Sequence, residues 1–125
     1  MSVVRYDAEL TVREGENGRT WARLQTPDLV GITQASVQEI LLDVFDLEDV
    51  SEPAWRDRPV IAEHVYDTEQ TQNWPGLGGY NFTAPVPSRR APVEGGHNYL
   101  FRYNFRLRDD TSILWLVGCQ VESVL

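Results

Sequence analysis

Five residues have the side chains and the setting best suited to contact a partner: Trp55, Trp74, Tyr80, Arg89 and Arg90. All five lie within or beside segments rich in proline and glycine, outside the alternating rows expected to fill a core. A tryptophan or tyrosine displayed on a loop anchors a protein partner or stacks on a sugar ring, whereas one beneath a loop closes the core. The sequence leaves both interpretations open for the three aromatic residues.

Arginine is concentrated near the same region, because five of the eleven basic residues lie between positions 89 and 108. Three of them, Arg102, Arg106 and Arg108, fall on the polar face of a predicted strand. A guanidinium group pairs with carboxylates through two hydrogen bonds and is weakly hydrated, which suits a protein interface. The alternative is an ordinary solvated strand face paired with nearby Asp and Glu, and the sequence does not choose between the two.

Residues for metal binding or nucleophilic catalysis are not gathered into any recognisable motif. His64 and His97 are far apart in the sequence, and Cys119 lies in an apolar row, where a thiol acts as a small buried group. The acidic residues 43–49 lack the glycine and terminal glutamate of a calcium-binding loop, so a strand edge followed by a solvated turn is expected there. Residues 76–79 lack the Lys-Ser/Thr of a phosphate-binding loop. We therefore predict no catalytic residue, no metal and no cofactor.

The composition indicates one domain spanning residues 1–125. At 42% hydrophobic and 10% aromatic residues, the chain is too apolar to be disordered, and its single cysteine excludes an internal disulfide. A formal net charge of −8 argues against nucleic acid or an anionic membrane as the partner. No apolar stretch approaches the ~20 residues needed to cross a bilayer.

Alternation of apolar and polar residues predicts strands in the N-terminal half. Residues 4–12 alternate cleanly, and the turn signal at residues 15–18 predicts that residues 21–25 return antiparallel to them. Residues 37–47 fit either a helix capped at Ser36 or a buried strand. Their β-branched and aromatic content favours the strand.

Further along, short strands are predicted at residues 60–66 and 80–83. Three long loops surround them, over residues 48–58, 67–79 and 85–96. Ordered loops of this length tend to carry function.

The C-terminal quarter predicts a long β-hairpin. Tyr99 begins one alternating row, and a second row containing Trp115 and Cys119 follows a turn at residues 109–111. The two rows are expected to face each other and to build half of a core. Six or seven short strands in all predict an all-β fold, an immunoglobulin-like antiparallel β-sandwich of about seven strands.

Four short motifs resemble a known style of domain: residues 33–37, 44–47, 79–82 and 95–99. Their succession is similar to small immunoglobulin-like β-sandwich proteins of tailed-bacteriophage virions, of the head decoration, cement or baseplate-associated type. The resemblance covers about residues 33–121. It implies a non-enzymatic protein of the virion, assembled in the host cytoplasm, that binds the major capsid protein or another virion protein and forms a small homo-oligomer.

Two structural expectations accompany this resemblance. Tyr99, which follows a loop and enters a late strand, resembles the tyrosine corner of such domains, where the hydroxyl bonds back to nearby backbone. Residues 1–13 lie outside the resemblance and are a candidate arm that adds a strand to a neighbour's sheet. The alternative function is a carbohydrate-binding sandwich that uses Trp55, Trp74 and Tyr80 as a stacking platform.

Overall fold

The computed structural model describes residues 3–13, 19–26, 31–48, 55–70, 80–85 and 97–122. Within these ranges the chain forms eight strands and one turn of 3-10 helix at Ala62–His64. The strands are β1 (Val3–Arg13), β2 (Arg19–Ala22), β3 (Val37–Asp46), β4 (Trp55–Pro59), β5 (Val65–Gln70), β6 (Tyr80–Pro85), β7 (Asn98–Leu107) and β8 (Ser112–Glu122). Within these described ranges, no helix has the length and apolar character that a bilayer crossing requires.

The strands form two sheets, one of five strands in the order β1-β8-β7-β3-β4 and one of three in the order β2-β6-β5. Strands β2 to β8 pair antiparallel, and β1 joins the edge of β8 in parallel. The order β8-β7-β3-β4 opposite β2-β6-β5 is that of an immunoglobulin variable-type sandwich. The predicted fold class is therefore confirmed.

The C-terminal hairpin forms as predicted, with its two alternating rows facing each other. Tyr103 lies opposite Trp115, and the inward rows of both strands are buried. The turn closes where the Leu107 N–H donates to the Thr111 carbonyl at 2.8 Å. The carboxylate of Asp109 accepts the Thr111 N–H at 3.0 Å, and this bond holds the pKa of Asp109 below its ordinary value.

The core lies between the two sheets, and Phe82 of β6 is at its centre. The ring of Phe82 meets Phe105 edge to face at 4.9 Å between centroids, and Tyr103 and Trp115 at 5.7 Å. Aromatic pairs in this geometry add to the free energy gained from burial alone. Phe82 thus joins the small sheet to the large one.

Residues 37–46 form a strand, as their β-branched content indicated. β3 lies between β7 and β4, and Ile40, Leu42 and Val44 project into the core. A helix at this position would leave β4 without its pairing partner and would leave one edge of β7 unpaired. The backbone N–H and C=O groups of β3 are instead hydrogen-bonded to a neighbouring strand on each edge, as in a central strand.

The predicted N-terminal hairpin is wrong. β1 does not pair with β2; it runs parallel to β8 over eleven register pairs, while β2 pairs with β6 in the other sheet. β2 is only four residues long, so a hairpin with it would satisfy far fewer backbone groups of β1 than β8 does. Residues 3–13 are accordingly a strand of the chain's own sheet, which replaces the expectation of an arm that reaches a neighbour.

Two other boundaries differ from expectation. β4 begins inside the predicted loop at residues 48–58, and most of the predicted strand at residues 60–66 is a 3-10 turn, after which β5 begins at Val65. Beyond β2, the side chain of Asn81 takes the place of a neighbouring strand. Its Nδ2 donates to the Leu24 carbonyl at 2.7 Å, and its Oδ1 accepts the Leu24 N–H at 2.8 Å.

Candidate functional site

The five predicted contact residues fall in different parts of the molecule. Trp55 is the first residue of β4 and packs half-buried against the core. Tyr80 is the first residue of β6, where it is 8% exposed and meets Tyr66 edge to face. Trp74, Arg89 and Arg90 lie outside the described residues.

The described aromatic residues do not form a shared platform. Trp55 belongs to the five-stranded sheet and Tyr80 to the three-stranded sheet. Tyr80 is buried and packs against Tyr66, so the interpretation of Tyr80 as a displayed anchor gives way to a packing role. Trp55 keeps partial exposure, and the guanidinium of Arg58 lies 5.0 Å from its ring centroid.

The three residues assigned structural roles are all buried. Tyr99, Trp115 and Cys119 are 0%, 3% and 2% exposed and belong to the core cluster. Burial raises the pKa of the Cys119 thiol to about 11, because a thiolate loses its hydration there. A cysteine in this state is a poor nucleophile at neutral pH. The tyrosine corner at Tyr99 stays a prediction.

A group of charged side chains lies on the outer face, meaning the side of the five-stranded sheet turned away from the three-stranded sheet. Here Asp43 of β3 lies directly opposite Arg102 of β7. Arg102 donates from Nη2 and Nε to Asp43 Oδ2 at 2.6 and 3.1 Å. The same guanidinium lies 5.0 Å from the centroid of Phe45, which fixes its plane.

Asp43 is the buried centre of this arrangement. The residue is 8% exposed, and its second oxygen, Oδ1, accepts the backbone N–H of Asp57 at 2.7 Å. Three N–H groups therefore compensate one buried carboxylate, and through it β3 is tied to both β7 and β4. An unpaired carboxylate at this depth would be strongly destabilising.

A β-bulge in β4 supplies the N–H of Asp57. Leu42 pairs with Arg58 and Val44 with Trp55, so β4 has one residue more than β3 between these pairs. Arg56 and Asp57 together oppose Asp43, and Asp57 has a φ of 51°. Aspartate tolerates this left-handed conformation better than most residues.

The bulge opens a concavity that we call the polar cleft. It has a volume of about 280 Å³ and is lined by Asp43, Phe45, Arg56, Asp57 and Arg102. Within the described ranges, the side chains of Arg56 and Asp57 make no hydrogen bond or ion pair. The cleft therefore presents one unused cation and one unused anion side by side.

Apolar side chains surround these charges. Five large ones on the outer face are partly exposed: Leu41, Phe45, Leu100, Leu114 and Leu116. Antiparallel sheets that face only water normally carry polar residues on that side. The outer face is thus more apolar than the fold of an isolated domain requires.

Arg106 and Arg108, the other described arginines of the cluster, form hydrogen bonds within the chain. Arg106 donates from Nη1 to Glu39 Oε1 at 2.6 Å, and Arg108 donates from Nε to the carbonyl of Ala35 at 3.1 Å. Of the two interpretations of this cluster, the described members follow the one in which strand arginines pair with neighbouring groups. This pairing holds their side chains in place on the surface.

Two further features lie away from the outer face. His97 Nδ1 and Asp46 Oδ2 are 2.9 Å apart, which ties the start of β7 to the end of β3. A cleft of about 260 Å³ opens between the sheets, lined chiefly by Leu42, Val60 and Ile61, with His64 and Tyr103. Across the described ranges, no three His, Cys, Asp or Glu side chains are grouped to hold a metal ion.

Asp43, Phe45, Arg56 and Asp57 were not among the residues singled out from the sequence. For residues 43–49 the sequence predicts a strand edge followed by a solvated turn, whereas Asp43 lies in the central strand β3 and is buried. One signal was available, since Asp43 is the only charged residue in the apolar run from Ile40 to Phe45. Its partner, Arg102, is 59 positions away, and only the strand register brings the two together.

No protein-family model matches the sequence, and no curated protein matches it. Among solved structures, a 2,6-sialyltransferase of Photobacterium sp. JT-ISH-224, in complex with CMP and lactose, is similar with a TM-score of 0.50 and 10% sequence identity. The match covers 98% of this chain but only 18% of that protein's chain. At this identity, the likeness shows the fold alone.

Proposed function

We propose that this chain is a non-enzymatic structural protein of a tailed-phage virion, a decoration or stabilising protein that binds the major capsid protein or another virion protein. The observation that carries this proposal is the composition of the outer face, where partly exposed leucines and Phe45 surround two arginine–carboxylate pairs. Aromatic residues and arginine are enriched at protein interfaces.

The charges of the outer face indicate what kind of surface it fits. Arg102 and Arg106 are already neutralised by Asp43 and Glu39, so the face is not a basic patch for phosphate groups. Because these pairs hold the guanidinium groups in place, little side-chain entropy is lost on binding. A mostly apolar protein surface with scattered polar groups is the complementary partner.

The gene neighbourhood and a binding assay test this function. We expect genes for a major capsid protein and a portal beside this one, and cosedimentation of the purified chain with shells assembled from that capsid protein. Neighbouring genes for polysaccharide hydrolases, together with a tryptophan fluorescence change on adding oligosaccharides, would favour carbohydrate binding instead.

Substitutions distinguish binding through the outer face from binding through the loop arginines. Leu116→Glu places a charge beside Arg102, where the fold tolerates it, and is expected to weaken shell binding at least tenfold. Gln120→Glu, on the same strand at an exposed position, is the matched control and should bind normally. If Leu116→Glu binds normally while the double variant Arg89→Glu/Arg90→Glu does not, the loop rather than the outer face carries the contact.

A further inference from the structure

The strand β4 forms one edge of the five-stranded sheet. It pairs with β3 on one side, and within the described ranges no strand pairs with its other side. Its residues from Arg56 to Pro59 are all exposed. An edge strand of this kind offers backbone and side chains to a second molecule.

We propose that two copies of this chain associate through residues 55–58 of β4, in antiparallel orientation about a two-fold axis. Arg56 then lies opposite Asp57 of the second copy, and Trp55 lies opposite Arg58 of the second copy. A two-fold axis repeats each of these contacts, so the interface is self-complementary.

The order of residue types makes the antiparallel orientation specific. Read against itself in reverse, Trp-Arg-Asp-Arg places a cation opposite an anion twice and a cation opposite an indole twice. Read in parallel, the same four residues place arginine against arginine and aspartate against aspartate. Charge complementarity therefore selects one orientation and one register.

The β-bulge is what makes this pairing geometrically possible. In a regular strand, Arg56 and Asp57 would point to opposite faces. Here they oppose one residue of β3 and both line the polar cleft. Trp55 and Arg58 are in contact on the other side of the strand. In the two-fold interface, the contacts between Arg56 and Asp57 thus lie on one side of β4, and those between Trp55 and Arg58 lie on the other.

The side chains of Arg56 and Asp57 also have no competing partner in the described ranges. This separates them from Arg102 and Arg106, whose ion pairs are complete within the chain. An ion pair with a second copy therefore replaces water and breaks no existing bond.

Charges and proline on an edge strand also protect it from pairing with unrelated strands. β4 carries both charged residues and a proline. Pro59 lies beyond the four matched residues, and the left-handed Asp57 interrupts a regular backbone ladder, so strands without the complementary charges are rejected. Association of two copies then depends on side chains, which makes it weak and sensitive to salt.

Analytical ultracentrifugation of the full chain over a concentration series tests this self-association. We expect a monomer–dimer equilibrium that weakens about tenfold when sodium chloride is raised from 50 to 500 mM, because exposed charges are screened. A chain that stays monomeric at millimolar concentration in low salt would overturn the proposal.

Charge reversal identifies the surface. Arg56→Glu and Asp57→Lys should each weaken self-association at least tenfold, whereas an equimolar mixture of the two should form a heterodimer by native mass spectrometry. Arg5→Glu makes the same charge change on β1, at the opposite edge of the sheet, and should dimerise like the unmodified chain. Dimers that persist in both single variants would place the interface elsewhere.

One control addresses the backbone at position 57. Lysine is strained in the left-handed conformation that aspartate tolerates, so Asp57→Lys is accompanied by Asp57→Asn, which keeps the backbone and removes only the charge. We expect Asp57→Asn to weaken dimerisation several-fold with an unchanged unfolding midpoint. Undiminished dimerisation by Asp57→Asn would exclude the ion pair. Because the assay contains no shell protein, its outcome is independent of the proposed virion function.

Discussion

The inner and outer faces of the five-stranded sheet are built from the same strands but hold the molecule together in different ways. The inner face carries Tyr103, Phe105 and Trp115 against Phe82, with every ring nearly inaccessible to water. The outer face carries the Asp43–Arg102 pair among partly exposed leucines. On the inner face, most of the stabilisation comes from burial of apolar area. On the outer face, it depends on the hydrogen bonds that satisfy the buried carboxylate of Asp43.

This difference explains why one sheet can serve both stability and contact. Inward side chains are packed to the density of a crystal and tolerate little change in volume. Outward side chains are fixed by hydrogen bonds that leave part of their surface open. We therefore expect substitutions on the inner face to affect folding most, and those on the outer face to affect binding more than folding.

The largest contrast is expected between two phenylalanines. Phe82→Ala removes a fully buried ring that contacts four others, and should lower the free energy of unfolding by about 3–5 kcal/mol. Phe45→Ala removes a partly exposed ring beneath Arg102 and should cost about 1 kcal/mol. Urea denaturation of both variants measures the difference, and equal losses would contradict this division between the faces.

A smaller effect is expected within the outer face itself. Asp43→Asn keeps an acceptor for the Asp57 N–H but leaves Arg102 without its charged partner, and should cost about 1.5–3 kcal/mol. Glu39→Gln breaks the exposed pair with Arg106 and should cost less than about 0.5 kcal/mol. Thermal unfolding of the two isosteric variants compares them directly; a larger loss for Glu39→Gln would mean that burial does not rank these ion pairs.

The last effect concerns Cys119 on the inner face and appears only at high pH, so it is absent under the conditions in which the other variants are compared. Its pKa is raised to about 11 in the folded chain from 9.0 for an unburied thiol. The unfolded chain therefore loses this proton first, and stability falls as pH rises from 9 toward 11, by up to about 1.4 kcal/mol per pH unit. Cys119→Ala should flatten this part of the stability curve relative to the unmodified chain. An identical pH dependence in both proteins would mean that the thiol does not titrate on unfolding.

Much of the fold was predictable because its signals are local. The alternation around Tyr99 and Trp115 correctly identified the last two strands, their turn and the rows that face each other, since a hairpin is specified by neighbouring residues. The strand at residues 37–46 followed from its β-branched residues. The prediction of an N-terminal hairpin was wrong because the turn signal at residues 15–18 carries no information about β8, whose long edge pairs with β1.

The candidate site was less predictable than the fold. Asp43 was identified as acidic but not as buried, and the bulge that brings Arg56 and Asp57 to one side has no clear sequence signature. Tyr80 has the residue type and the position beside a predicted loop that are typical of a contact residue, and it is nonetheless buried. Burial depends on which strand packs opposite a residue, and that strand is usually distant in sequence.

By itself, the sequence determined that this chain is an all-β sandwich, because periodicity and turn residues act over a few positions. It also determined the self-complementary order of Trp55, Arg56, Asp57 and Arg58. Only the tertiary structure decided that β1 lies beside β8, that Arg102 neutralises Asp43, and that β4 is an edge. Each of these depends on strands that are distant along the chain, whose pairing is set by the competition among all available edges.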